Sequence, residues 1–235
     1  MLLPLAFASL LTSSAALRCE TIAAADQRPS VPFAVTADVR AVAPMIDSTL
    51  VALYESGETF ESFLANARAR RAMWLRNWEH GVVPADLLAD ARSLPGRWRL
   101  LVVAVDGCSD SVNTIPYIGR LVSLVPSIEM RIVLPGPGRA VMDAHRTPDG
   151  RAATSTVVLL DAEGRDVGCW VERPAALQEM AITARAAEKT DEFIRDKQGW
   201  YDMDAGASTV HEVVSMIAAA AAGTPSCTPP PAKKP

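Results

Sequence analysis

The four cysteines of this chain, Cys19, Cys108, Cys169 and Cys227, form no Cys-x-x-Cys pair and keep no zinc-ligand spacing. A paired dithiol motif and a zinc-binding module are therefore not read from the sequence, and no residue set calls for a metal. The three histidines, His80, His145 and His211, stand apart and are expected at surface or capping positions. No Gly-x-Ser-x-Gly elbow supports a serine hydrolase. Pro135-Gly136-Pro137-Gly138 lacks the Lys-Ser/Thr of a phosphate loop and reads as a turn, so no motif implies a cofactor. Basic charge is not in excess: 23 Lys and Arg stand against 27 Asp and Glu, which excludes a basic field for nucleic acid. Arg68, Arg70, Arg71 and Arg76 cluster locally, but read as a solvated helix face. The apolar stretch Leu2 to Leu11 is shorter than the ~20 residues of a membrane-spanning helix, so no stable membrane span is expected. No internal repeat is evident.

What remains is the composition of an ordinary globular protein, 49% hydrophobic and 21% charged, with 235 residues for one domain plus extensions. Residues 1–25 resemble a secretory signal, with Ala23-Ala24-Ala25 as the cleavage site but no Lys or Arg before the apolar core. Export to a periplasmic or extracellular space is expected; an alanine-rich leader on a cytoplasmic protein is the alternative. Cleavage after Ala25 would remove Cys19 and leave one of the three remaining cysteines unpaired. Residues 26–46, rich in Pro, Ala and Val, read as a linker.

Residues 47–95 read as a helical N-terminal extension. Asp47-Ser48 can cap a short helix. Thr59 to His80 carries an amphipathic pattern at Phe60, Phe63, Leu64, Ala67, Trp74, Leu75 and Trp78, closed by Gly81 as a left-handed cap. Trp74 and Trp78 are expected to pack on the next domain. Pro84 opens a further helix.

Residues 96–200 change to an α/β pattern. The apolar run Leu100 to Val105 reads as a buried strand, Asp106-Gly107 as a turn, and Val112 to Val125 as a helix with Cys108 at its N-terminus. A helix N-terminus stabilises a thiolate, so Cys108 is the candidate nucleophile. Asp106 and Asp110 oppose that effect, and no Lys, Arg or His nearby in the sequence offsets them. Further strands are expected at Ile128 to Leu134, Thr156 to Leu160 and Arg165 to Val171, with a short helix from Arg139 to His145. Arg173-Pro174 opens a long helix reaching Ile194. The order is β-α-β-α-β-β-α, a parallel pair followed by an antiparallel hairpin. Residues 201–235 hold a C-terminal helix, Val210 to Ala222, and a Pro-rich tail expected to be disordered. Val167, Cys169 and Val171 alternate opposite Trp170, so Cys169 reads as a small buried apolar residue; a role as partner of Cys108 is the other option.

This order of elements, with a cysteine after the first core strand and Pro116 eight residues later, resembles the thioredoxin fold. A mid-helix proline costs about 3 kcal/mol and needs a packing or functional reason. The closer resemblance is to a thioredoxin-like branch with a helical N-terminal extension, a Trp-Cys-x-Asp motif and a late Gly-x-Trp-x-x-Arg-Pro segment. Here these read Gly107-Cys108-Ser109-Asp110 and Gly168-Cys169-Trp170-Val171-Glu172-Arg173-Pro174, with Ala140-Val141-Met142-Asp143 similar as well. The likeness spans roughly Thr49 to Leu177. It implies an α/β thioredoxin-like three-layer sandwich with an extra C-terminal helix.

The resemblance also implies a site. Cys108 is the nucleophile, Ser111 stands where a dithiol thioredoxin has its second cysteine, and Asp110 could assist proton transfer. Gly107, Thr154, Ser155 and Trp170 occupy the substrate-binding positions. Gly107 replaces the motif tryptophan, Val102 the acidic residue buried beneath the nucleophile, and Ser155 the cis-proline. A cis bond before a non-proline residue costs ~2.5–4 kcal/mol, so a trans peptide and an altered groove are expected there. The function implied is a monothiol Cys-x-x-Ser oxidoreductase or isomerase, with protein or glutathione-type thiols and disulfides as partners. A non-catalytic protein-binding module of the same fold is the alternative. A thiol peroxidase is disfavoured, because Val105 stands where such enzymes carry a threonine.

Overall fold

A computed structural model describes residues 48–227, and the leader, the linker and Cys19 lie outside them. Four strands form one sheet in the order β2-β1-β3-β4: β1 (Trp98–Val103), β2 (Ile128–Val133), β3 (Thr156–Leu160) and β4 (Asp166–Val171). β1 runs parallel to β2 through the crossover helix α5 (Ser109–Leu124), while β3 is antiparallel to β1 and β4 to β3. The expected β-α-β-α-β-β-α order and its three-layer arrangement are both present.

Strand alternation divides the core between the two faces. Leu100, Val102, Val157, Leu159 and Trp170 face a large cluster built with α5, α9 (Ala207–Ala221) and the extension helices α2 (Phe60–Asn66), α3 (Arg71–His80) and α4 (Ala85–Ser93). Leu101, Val103, Val158 and Leu160 face α1 (Ser48–Ser56) and α6 (Arg139–Ala144), through Tyr54, Val141 and Met142. The remaining helices, α7 (Ala175–Ala186) and α8 (Thr190–Asp204), pack on each other around Leu177, Ala181, Phe193 and Tyr201. The extension thus belongs to the core: Trp74 is fully buried, and its ring packs edge-on against Phe63. A boundary at residue 200 would cut α8, which is continuous to Asp204.

Several local expectations are corrected. The amphipathic stretch from Thr59 to His80 is two helices, α2 and α3. Asp106 breaks it by accepting the N–H groups of Arg68 and Ala69, each at 2.8 Å, and Arg71 caps the end of α2 at the Leu64, Ala65 and Ala67 carbonyls. Periodicity cannot register a carboxylate 37 residues away. Gly81 is extended rather than left-handed; a Cβ there would lie 2.7 Å from the Asn77 carbonyl oxygen, so close packing explains the glycine. The long helix expected after Pro174 breaks at Glu188, which has positive φ, and resumes as α8. The start of the Pro-rich tail is pinned: Ser226 bridges Gly168 on β4, and Cys227 is disulfide-bonded to Cys169. The rest of that tail lies outside the described residues.

Pro116 has its packing partner. Lacking an N–H, it leaves the Val112 carbonyl without a helical donor. Asn77 Nδ2, from α3, donates to that carbonyl at 2.8 Å in a buried contact. The helical extension therefore completes the hydrogen bonding of the crossover helix.

Candidate functional site

β1 and the turn at Asp106-Gly107 deliver Cys108 to the N-cap of α5, placing Ser109, Asp110 and Ser111 in the first helical turn. The Cys108 side chain is 1% exposed, and its Sγ lies 3.5 Å from the Thr154 carbonyl oxygen. Cys108 is disulfide-bonded, so this is the oxidised state of the site. Gly107 adjoins Cys108 in the chain, and Thr154 lies beside its sulfur. The Thr154–Ser155 peptide is cis, correcting the expected trans bond. Tertiary contacts hold this loop: Ser155 O accepts the Glu172 N–H at 2.6 Å, and Ser155 Oγ sits 3.1 Å from Thr114 Oγ1. None of these contacts is visible in the local sequence.

Ser111 is fully buried, and its hydroxyl has no hydrogen-bond partner. Asp110 is buried too, with three donors. Arg173 and Lys197 each lie 3.2 Å from Oδ2, and the Tyr201 hydroxyl donates to Oδ1 at 2.8 Å. Burial acts to raise the Asp110 pKa, but the Arg173 and Lys197 charges and the hydrogen bonds from Tyr201 and Lys197 outweigh it and hold the carboxyl below its ordinary value. Burial and the Asp110 charge push the Tyr201 phenol well above its usual range, so it remains a donor. Arg173 also pairs with Glu172, whose second oxygen accepts Arg151 at 2.7 Å.

Cations absent from the local sequence thus contact the residues that flank the cysteine. Lys197 donates to Ser109 Oγ at 2.9 Å, and Arg70 donates to the Gly107 carbonyl at 2.9 Å. Arg70 is not on a purely solvated face, as the arginine cluster implied. Asp106 is held by two backbone N–H groups, and its own carbonyl accepts the Trp74 indole N–H at 3.0 Å. Trp170 is buried under α9, with its indole N–H donating to Glu212 at 2.7 Å.

The family model described as Thioredoxin matches residues 57–189, more than half of the chain. The chain belongs to the thioredoxin-like family. Two solved structures share the fold. One, a Pseudomonas aeruginosa protein of unknown function, is 24% identical, covering 72% of this chain and 97% of its own, with a TM-score of 0.54. The other, an HIV epitope-scaffold, is 24% identical over 72% of this chain and 96% of its own, with a TM-score of 0.53. No curated protein matches.

Within this thioredoxin-like frame, the two motif segments meet: Asp110 of the Cys-x-Asp motif pairs with Arg173 of the late Arg-Pro segment. Lys197 and Tyr201 were not foreseen, although their i,i+4 spacing puts them on one face of α8. Cys169 is buried as expected but disulfide-bonded to Cys227, so it is not the partner of Cys108. His145 is buried, and it takes a capping position, as the C-cap of α6. One ligand atom each from His145, Cys169 and Cys227 lies within 4.8 Å of the others. The sulfurs are joined to each other and both ring nitrogens are hydrogen-bonded, so this set offers no ligand position for an ion in this state.

Proposed function

We propose that this thioredoxin-like protein is a monothiol thiol–disulfide oxidoreductase or isomerase with Cys108 as its nucleophile. The observation that carries this reading is the electrostatic setting of the sulfur. Cys108 is the N-cap of a 16-residue helix, and Arg173, Lys197 and Arg70 offset the acidic residues beside it. In its reduced form, the Cys108 thiolate would attack one sulfur of a substrate disulfide, forming a mixed disulfide and releasing the other sulfur as a thiolate. Ser111 cannot resolve that intermediate, so an external thiol of the glutathione type takes the substrate sulfur and restores Cys108. The unpartnered Ser111 hydroxyl is suited to donate to the thiolate.

The substrate side would be Gly107, Thr154 and Ser155, at the turn and cis loop beside the sulfur. Trp170, packed beneath α9, would support that side from the core. Export to an oxidising compartment suits a disulfide-bearing chain and belongs to the same proposal.

A second reading, a non-catalytic thioredoxin-like binding module, is favoured by the burial of the Cys108 side chain. Alkylation of the reduced full-length protein across pH, followed at the Cys108 peptide by mass spectrometry, separates the two. Catalysis predicts a thiol pKa below the ~8.5 of a free cysteine, with exchange against glutathione disulfide. A pKa at or above that value, without exchange, leaves the binding module.

A further inference from the structure

The described residues contain a second sulfur centre, on the sheet face opposite α5. Cys169 lies in β4, facing the same side as Val158 of β3 and opposite Trp170. Its disulfide partner Cys227 is exposed, whereas Cys169 is buried. β4 is an edge strand, and the segment ending in Cys227 lies along its outer side: the Cys169 N–H donates to Ser226 O at 3.2 Å. His145 stands beside the sulfurs. Its Nδ1 is 2.9 Å from the Val141 carbonyl oxygen and its Nε2 is 2.7 Å from Asp166 Oδ2. Burial lowers the His145 pKa, but the hydrogen bonds to Asp166 and to the Val141 carbonyl outweigh it and raise it above its ordinary value, which favours the imidazolium with both ring nitrogens donating.

We propose that Cys169–Cys227 is a second thiol–disulfide exchange site, at which a dithiol attacks exposed Cys227 and Cys169 leaves as a thiolate beside the His145 imidazolium. In the first step the attacking thiolate bonds to Cys227 Sγ, and the electron pair of the broken S–S bond goes to Cys169 Sγ. The second sulfur of the dithiol, having lost its proton, then displaces Cys227 as a thiolate. The dithiol is oxidised by two electrons to a disulfide and the protein disulfide is reduced by two. The two protons released by the dithiol are available to the cysteine pair. Exposure selects the attacked sulfur, and a nearby cation makes the buried sulfur the better leaving group. Asp166 offsets part of that charge while keeping the ring protonated. Reduction removes the covalent tie between Cys227 and the edge of β4.

The test uses the native full-length protein, brief exposure to glutathione, alkylation and peptide mapping. The expected first adduct is glutathione on Cys227 with Cys169 alkylated. His145→Gln is expected to slow reduction of this disulfide by dithiothreitol several-fold. A first adduct on Cys169, reduction that needs a denaturant, or a His145→Gln rate equal to or faster than wild type would each overturn the proposal. A merely structural histidine would loosen the site and speed reduction, the opposite sign. The adduct position requires no variant, so it stands even where His145→Gln does not fold. Because Cys108 is mapped as a separate peptide in the same samples, failure here is distinguishable from failure of the Cys108 reading.

Discussion

Asn77 and Pro116 are predicted to be energetically coupled across α3 and α5, although they lie far apart in sequence. Pro116 removes the donor that would serve the Val112 carbonyl, and Asn77 Nδ2 supplies it at 2.8 Å in a buried setting. Asn77→Ala would leave that carbonyl unpaired and is expected to cost about 1–3 kcal/mol. Asn77→Asp should cost at least as much, because an ionised carboxylate cannot donate. Pro116→Ala restores a backbone N–H at the position from which a helix serves Val112. In that background the Asn77→Ala penalty should fall, giving a coupling of about 1–2 kcal/mol. Urea unfolding of the four proteins, disulfides intact, followed by tryptophan fluorescence measures the cycle. Additivity to within about 0.5 kcal/mol would refute the claim that Asn77 replaces the missing helical donor.

The buried ion cluster gives a second expectation. Arg173→Met leaves Asp110 with Lys197 and Tyr201 alone, and should cost about 3–5 kcal/mol; a loss below about 1 kcal/mol in urea unfolding would show the other two donors suffice. Because the folded Asp110 pKa is depressed, its contribution is present above its unfolded value of about 4 and is lost as pH falls through the folded value. Asp110→Asn should therefore flatten the acid limb of a stability-against-pH profile. At the α8–α9 joint, Gly206 has a φ of 82°, and a Cβ there would lie 2.1 Å from a Tyr117 ring carbon. Gly206→Ala is expected to lower the thermal midpoint, by more than about 1 kcal/mol in stability terms, and an unchanged midpoint would contradict that packing.

The strands and the crossover helix were legible because their apolar periods report burial directly: Leu100 to Val103 is buried on both faces, and α5 buries Val112, Ile115, Ile118 and Leu121. Helix breaks were not legible, since α2 and α3 are separated by hydrogen bonds to Asp106 rather than by a local breaker. The cis peptide at Ser155 escaped for the same reason: local preference favours trans, while the loop's partners come from Thr114 and Glu172. The partner of Cys227 is not legible either, because a proline-rich run carries no signal for a disulfide to a strand 58 residues away.

The charge at the candidate site shows why sequence proximity misleads about a thiol. Within a few residues of Cys108 the chain supplies only Asp106 and Asp110, which alone would disfavour a thiolate. The fold changes both. Asp106 is committed to backbone N–H groups of the α2–α3 connection, and Asp110 is matched by Arg173, Lys197 and Tyr201, at sequence separations of 63, 87 and 91. Two of those three lie on α8, which continues beyond the expected thioredoxin-like boundary, and Lys197 also reaches Ser109 in the first turn of α5. α8 therefore acts on the helix that carries Cys108 rather than decorating the fold. The charge at Cys108 is consequently a property of the folded chain from α3 to α8, and a piece ending at residue 189, where the family match stops, would lack Lys197 and Tyr201.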